Sequence, residues 1–356
     1  MKILTVIGNR PQFIKAAAVS PALRERNQEL LIHTGQHFDD DLSAVFFAEL
    51  GVPAPDRELG ISLGSNSSQT TRMLSALEPV LSEEAPDAVL VYGDTNSTLA
   101  GALAAAQAGI PLAHVEAGMR SFDRSMPEEL NRVLTDHAGS LLLCSSEVSV
   151  ENLRREGVSG TVEMVGDVMV DVALKIQPLA RERTDLLAAR GVSPGQYVLA
   201  TAHRPGNVDD PGRLAMLVDL LAQLPLTVVV ALHPRTRSRL VAGGLLDGLE
   251  RSEHVVVTPP LGYIELTALL CNARAAVTDS GGLQKEAYLA GVPCITLRQS
   301  TEWTETVEHG WNTLVDLDPA AAVRALERDP PVDRPPLYGD GRAGERVVSA
   351  LTLHVR

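Results

Sequence analysis

The chain has 356 residues and a formal net charge of −14. That length suffices for two domains with separate cores. The acidic balance argues against a nucleic-acid partner and against an anionic membrane surface, since both need a basic face. Hydrophobic residues make up 45% of the chain and aromatics 3%, so the core is built from Ala, Leu and Val. Cys144, Cys271 and Cys294 lie in or beside apolar runs with no CxxC pair, which reads as buried thiols of a reducing compartment. The apolar run Ile3–Ile7 is too short for a signal peptide. No apolar stretch approaches membrane-spanning length. The reading is a cytoplasmic protein.

In chain order, Lys2–Ile7 reads as a buried strand, and Gly8-Asn9-Arg10-Pro11 as the turn into a helix reaching about Arg26. A strand at Leu30–His33 and a helix at Leu42–Leu50 follow. The Ser-rich stretch Ser62–Ser68 reads as a loop before a helix over Thr70–Ser82. Next come a strand at Asp87–Tyr92, an Ala-rich helix at Ser97–Ala108 stopped by Gly109, and a short strand at Pro111–Val115. A central helix, the Leu141 strand, a helix at Val148–Glu156 and a strand near Val162 complete the first half. A helix from about Val168 and the charged segment to Gly195 form the crossing. The second half predicts strands at Tyr197–Thr201, Val228–Leu232, Val255–Val257, Ala275–Thr278 and Cys294–Leu297, with helices between them. Pro330–Pro336 reads as a linker and Ala343 to about Leu353 as a last helix. Regular alternation of strand and helix implies an α/β fold with two doubly wound Rossmann-like domains facing a cleft.

The chemistry concentrates between His114 and His137. Five carboxylates, three arginines and two histidines stand there between two apolar segments. Charge so placed has to be paired, and close carboxylates acquire separated pKa values. Glu116 follows an apolar strand and precedes Ala117-Gly118, a strand-end position suited to a site. Glu128 has two readings. Ser125-Met126-Pro127-Glu128 fits a capping box with Ser125 as N-cap, and Glu128 can pair with Arg132 four residues on; it serves equally as a catalytic carboxylate.

Thr278 to Glu286 joins a strand to a helix. Gly281 and Gly282 let a diphosphate approach the backbone at a helix N-terminus, and Glu286 is placed to take ribose hydroxyls. Arg10 and Lys15 occupy the corresponding turn of the first half and suit the same phosphates. His203-Arg204 and His233-Pro234-Arg235 close two strands of the second half. Two motif matches fail on context. Gly339–Gly344 spells G-x-G-x-x-G, but no strand precedes it and too little chain follows for a βαβ unit. His114-Val115-Glu116 has the H-x-E of zinc deaminases without their P-C-x-x-C, so no metal is expected.

Taken together, the segments Gly8–Gln12, Tyr92–Thr95, His114–Gly118, Met126–Glu129, Thr201–Arg204, His233–Arg235 and Thr278–Glu286 resemble the non-hydrolysing UDP-N-acetylglucosamine 2-epimerases, in order and over nearly the whole chain. The resemblance implies a fold like that of GT-B glycosyltransferases. Its domains would be 1–167 and a UDP-binding 168–339, with the helix 340–356 returning to the first. It implies a homodimer acting on a UDP-sugar without a cofactor. Asp94, Glu116, Glu128 and His203 become the acid/base candidates. Arg10, Ser280, Gly281, Gly282 and Glu286 become nucleotide-binding residues, beside the contacts read for Lys15, His233 and Arg235.

Three segments differ from the best-known bacterial members: Gln36-His37-Phe38-Asp39, His203–Asn207, and Thr301-Glu302-Trp303 with Gly310-Trp311-Asn312. In these the chain is similar to archaeal-type members and to epimerases of UDP-diacetamido-uronic acids. For a uronic acid, Arg298 is the candidate partner of the extra carboxylate. The acidic run Phe38–Asp41 and the Pro205-Gly206 turn both disfavour a second diphosphate pocket. Simple saturation kinetics without an obligatory activator are therefore expected.

Overall fold

The computed structural model describes residues 1–36, 52–124 and 126–355, and of Arg10 only the backbone. The helix expected at 42–50, the acidic run at 38–41 and the cap residue Ser125 lie outside the described residues. The chain divides into two compact units, Met1–Val172 with Tyr338–Arg356, and Ala173–Leu337.

In the first unit the strands are β1 (Lys2–Ile7), β2 (Gln28–His33), β3 (Arg57–Glu58), β4 (Ala88–Tyr92), β5 (Leu112–Ala117), β6 (Leu141–Cys144) and β7 (Thr161–Met164). Among the described residues they form one seven-stranded sheet in the order β3-β2-β1-β4-β5-β6-β7, and neighbouring strands run parallel, as Ile3 opposite Ala88 and Val89 opposite Leu112 illustrate. The second unit holds β8 (Tyr197–Thr201), β9 (Thr227–Ala231), β10 (Val255–Thr258), β11 (Ala275–Thr278), β12 (Cys294–Thr296) and β13 (Asn312–Leu314). Their order is β10-β9-β8-β11-β12-β13. In each sheet the winding reverses beside the first strand, between β1 and β4 and between β8 and β11. Ligands of doubly wound sheets bind at the carboxyl ends of strands beside such a reversal.

The apolar runs are continuous because these strands are buried on both faces. Along β8, Val198 and Ala200 face one core with Leu217, Val228 and Ile295. Tyr197 and Leu199 face another with Leu269, Leu283 and Cys294. The three thiols are buried and unpaired. Burial pushes Cys144 and Cys294 up to about 12 and Cys271 to about 11, so they are packing groups. No helix among the described residues is long and apolar enough to cross a membrane.

Several boundaries move for local reasons. The helix expected from Thr70 spans Asn66–Glu84, because Ser65 takes the N-cap and accepts from the Ser68 amide at 3.3 Å. The serine-rich stretch thus supplies the cap and first turn. The strand ending at Val115 runs on to Ala117, with an irregularity between Val115 and Ala117 that contains Glu116. Two edge strands, β3 and β13, are too short to show a period. The helix Pro127–Ala138 has Met126 at its N-cap, with no side-chain bond from it; the capping box read on Ser125 falls outside the described residues.

The last helix, Ala343–His354, packs on the first, Arg10–Arg26, and its Gly344 nearly touches the Ala18 carbonyl; a Cβ there would lie 2.2 Å from that oxygen. The Asp171 carboxylate caps its first turn, accepting from the Ala343 amide at 3.0 Å and the Gly344 amide at 2.7 Å. Gly344→Ala should therefore lower stability by roughly 1–3 kcal/mol in urea titrations. Gly248→Ala, where nothing lies within 4 Å, should leave stability unchanged or raise it. Equal effects would contradict the packing described.

Candidate functional site

In the first unit the charged groups gather at the carboxyl ends of β1, β4 and β5. Glu116 is one of few non-glycine residues with a left-handed backbone, at φ 72°. That turn swings its carboxylate off the strand and onto the Lys15 ammonium, with which it forms an ion pair. Both groups pack on Gly93, where a Cβ would lie 3.0 Å from Lys15 Nζ and 3.3 Å from Glu116 Oε2. Lys15, expected as a phosphate contact, is thus engaged by Glu116.

Asp94 follows Gly93. Arg132 donates to its Oδ2 from Nε at 2.9 Å and from Nη2 at 2.6 Å, and Asn131 Nδ2 donates to its backbone carbonyl at 2.9 Å. Arg132 also reaches Glu129 at 2.9 Å. It does not pair with Glu128, as the i, i+4 spacing had suggested. Glu128 is exposed on the first turn of the helix Pro127–Ala138 and forms no ion pair among the described residues.

Glu129 is the buried member of the Glu128-Glu129 pair. It accepts from the Ser121 amide at 2.9 Å, the Ser121 hydroxyl at 3.0 Å and the Phe122 amide at 2.8 Å. Burial by itself pushes its carboxyl up; the Ser121 and Phe122 amides and Arg132 outweigh that and hold it below the usual carboxylate range. Behind this layer His114 and Asp136 are both fully buried. His114 Nε2 meets the Gly93 carbonyl at 2.7 Å and Nδ1 meets Asp136 Oδ1 at 2.7 Å. Asp136 Oδ2 also accepts from the Gly118 amide at 3.1 Å and from Arg120 at 2.7 Å.

In the second unit the groups gather beyond β8 and β11. Asp279 is fully buried and accepts from the His203 amide at 3.0 Å, the Arg204 amide at 3.0 Å and Asn207 Nδ2 at 3.0 Å. It fixes the backbone that carries His203. Ser280 caps the helix Gly281–Ala290 through the Leu283 amide at 3.4 Å. The amides of Gly281 and Gly282 precede the first intrahelical bond, from Gln284 N to the Ser280 carbonyl, and give the turn its anion-binding character. Trp303 Nε1 donates to the Gly281 carbonyl at 2.7 Å, and Lys285 lies 4.9 Å from the centre of the Trp303 ring. Glu286 is half-buried one turn on.

His233 caps the helix Pro234–Ala242, its Nδ1 accepting from the Arg235 amide at 3.1 Å. Its ring centre is 5.3 Å from that of His203. Burial, then the charges of His203 and Arg235, hold its pKa below the usual histidine value. The Arg235 guanidinium pairs with Asp209. Arg298 donates to Glu302 at 2.8 Å. Sequence reading singled out neither Asp279 nor Asn131, Glu129 or Arg132 as site residues. The one available signal was the density of charge between apolar segments, which requires partners without naming them.

Two doubly wound parallel sheets, each with a polar cluster at its strand ends, define an α/β protein of two Rossmann-like units. The UDP-N-acetylglucosamine 2-epimerase family model matches residues 21–352, and the chain belongs to that family. It is 43% identical to a UDP-N-acetylglucosamine 2-epimerase homolog of Methanococcus maripaludis, over 99% of both chains. It is 45% identical to the UDP-2,3-diacetamido-2,3-dideoxy-D-glucuronate 2-epimerase of Pseudomonas aeruginosa, again over 99% of both. The Methanocaldococcus jannaschii UDP-GlcNAc 2-epimerase, solved in complex with UDP-GlcNAc and UDP, superposes with a TM-score of 0.86 at 40% identity, covering 99% of this chain and 100% of that one.

The buried carboxylates predict an acid limb. Glu129 and Asp136 both titrate below the ordinary range in the folded protein, so the unfolded chain binds more protons in mild acid. Their stabilisation is present above the unfolded carboxylate pKa, about 4, and is lost as pH falls through the folded values. Glu129→Gln should cost roughly 1–3 kcal/mol at pH 7 and should show a shallower loss of stability below pH ~4 than the unsubstituted protein. Parallel acid limbs in urea titrations would refute this.

Proposed function

We propose that the chain interconverts UDP-GlcNAc and UDP-ManNAc by inverting C2 of the sugar. The observation that carries this is the pair of carboxylates at neighbouring strand ends, Asp94 beyond β4 and Glu116 in β5, each held by its own cation. The C2 hydrogen of a sugar is too weakly acidic for simple deprotonation. A base removes it while the C1–O bond to UDP breaks, and that bond's electron pair leaves with the β-phosphate. A glycal and UDP result. In the return step a UDP oxygen re-forms the bond to C1, and a proton is delivered to the opposite face of C2.

Two faces need two separately placed proton-transfer groups. Asp94, Glu116, Glu128 and His203 are our candidates. UDP has to stay bound between the steps. That role falls to Arg10, to the Ser280-Gly281-Gly282 turn and to Glu286, with Lys15, His233 and Arg235 as further candidate contacts; the helix N-terminus suits a diphosphate.

A UDP-diacetamido-glucuronate is the second substrate reading, favoured by the 45% identity to the Pseudomonas enzyme. Its extra carboxylate calls for a cation of its own, whereas Arg298 is already bound to Glu302. The N-acetylglucosamine reading is therefore preferred. A homodimer is also proposed. Met126, Leu130 and Leu134, four residues apart, are exposed at the start and along one face of a single helix, and an apolar stripe of that kind suits a second copy.

Incubation with UDP-GlcNAc in heavy water should give UDP-ManNAc and place solvent deuterium at C2 of both sugars. Recovery of both without deuterium would end the elimination reading. A large preference for the uronic acid in side-by-side turnover would replace the substrate. Asp94→Asn and Glu116→Gln should each lower kcat by at least about 100-fold while UDP still binds. Glu286→Ala should weaken UDP binding itself. Near-normal turnover of Glu128→Gln would remove Glu128 from the chemistry.

A further inference from the structure

The geometry points to His114 and Asp136 as positioning residues that hold Asp94 and Glu116 in register for proton transfer, an inference that rests on the epimerase reading of those carboxylates. The juxtaposition is specific. His114 lies two residues before Glu116 on β5, and Gly118 lies two residues after it. Asp136 binds both: His114 through Nδ1 at 2.7 Å and Gly118 through its amide at 3.1 Å. The segment that bears the left-handed Glu116 is therefore clamped at each end by one carboxylate.

The other nitrogen of the same ring reaches the second candidate. Nε2 lies 2.7 Å from the carbonyl of Gly93, which is half of the peptide unit leading into Asp94. The ring thus bridges two fixed acceptors, the Asp136 carboxylate at Nδ1 and the Gly93 carbonyl at Nε2. Arg120, itself tied to Glu156 at 2.8 and 2.7 Å, supplies a further donor to Asp136. Neither His114 nor Asp136 has any exposure. They act through the backbone and through each other, away from the solvent-facing layer that carries Asp94 and Glu116.

A purely structural cluster would also be buried and satisfied. What sets this one apart is its choice of partners: the Gly93 carbonyl beside Asp94, and the two flanks of Glu116. Misplacement of a reacting group by about 1 Å can cost on the order of 100-fold in rate. Loss of the ring contact should therefore appear in kcat and leave nucleotide binding intact.

The test compares isosteres. In His114→Asn the amide nitrogen replaces Nδ1, keeping Asp136 and losing Gly93. In His114→Gln it replaces Nε2, keeping Gly93 and losing Asp136. Turnover is measured per UDP-binding site, counted by calorimetric titration with UDP, so that unfolded protein does not enter. His114→Asn and Asp136→Asn should lower kcat by about 30–100-fold, with KM for UDP-GlcNAc and affinity for UDP within about twofold. His114→Gln should recover a substantial part of that loss although its melting temperature falls as well. Glu156→Gln, which removes only the outer partner of Arg120, should keep kcat.

Unchanged kcat per site in the His114 and Asp136 variants, with lowered melting temperature alone, would overturn the proposal. So would equal losses in His114→Asn and His114→Gln, or a loss of the same size in Glu156→Gln. Asp94→Asn and Glu116→Gln are assayed alongside. If they retain turnover, the assignment of the two carboxylates has failed, an outcome distinct from failure of the His114 positioning.

Discussion

A carboxylate cut off from water has to be surrounded by donors, and in each unit one fully buried aspartate meets that need beside the central strands of its sheet. Asp136 and Asp279 both have no exposure. Leaving either short of partners would cost several kcal/mol. Asp136 is therefore ringed by His114, Gly118 and Arg120, and Asp279 by the amides of His203 and Arg204 and the amide group of Asn207. In the first unit these donors come from β5 and the segment after it, and in the second from the segment after β8, whereas Asp136 sits on the helix Pro127–Ala138 and Asp279 follows β11. The electrostatic need of one buried group thus ties two separate elements together.

The same constraint sustains the strained backbone at Glu116. A left-handed conformation costs a non-glycine residue on the order of 1–3 kcal/mol. It persists because the residues on both flanks are fixed through Asp136, and because the carboxylate it redirects gains Lys15. A regular strand would send this side chain to a face of the sheet. The irregularity between Val115 and Ala117 instead turns it toward Gly93, a familiar use of local irregularities beside sites.

The two units reach one topology from different sequences. Parallel strands joined by right-handed crossovers leave few ways to wind a sheet outward from its first strand. Starting at β1 or at β8, the chain winds to one side and then back to the other, and the reversal leaves two strand ends side by side. Chemistry-bearing residues collect there: Asn9 to Lys15 and Gly93-Asp94 in one unit, His203 and Asp279 to Gly282 in the other.

The strands and the turn residues were legible in the sequence. A strand buried on both faces has to be apolar throughout, so Lys2–Ile7, Tyr197–Thr201 and Ala275–Thr278 declare themselves, as do the glycines and the Ser280 cap that follow strands. The edge strands β3 and β13 did not, since two or three residues carry no period. The choice of ionic partners was decided only by the tertiary structure. Arg132 has Glu128 and Glu129 nearby in sequence, yet it also takes Asp94, 38 residues away, and Lys15 takes Glu116 across 101 residues. The physical reason is that local spacing limits which charges can meet along one helix, whereas pairing between elements depends on where parallel strands bring their carboxyl ends, and that is settled when the sheet assembles.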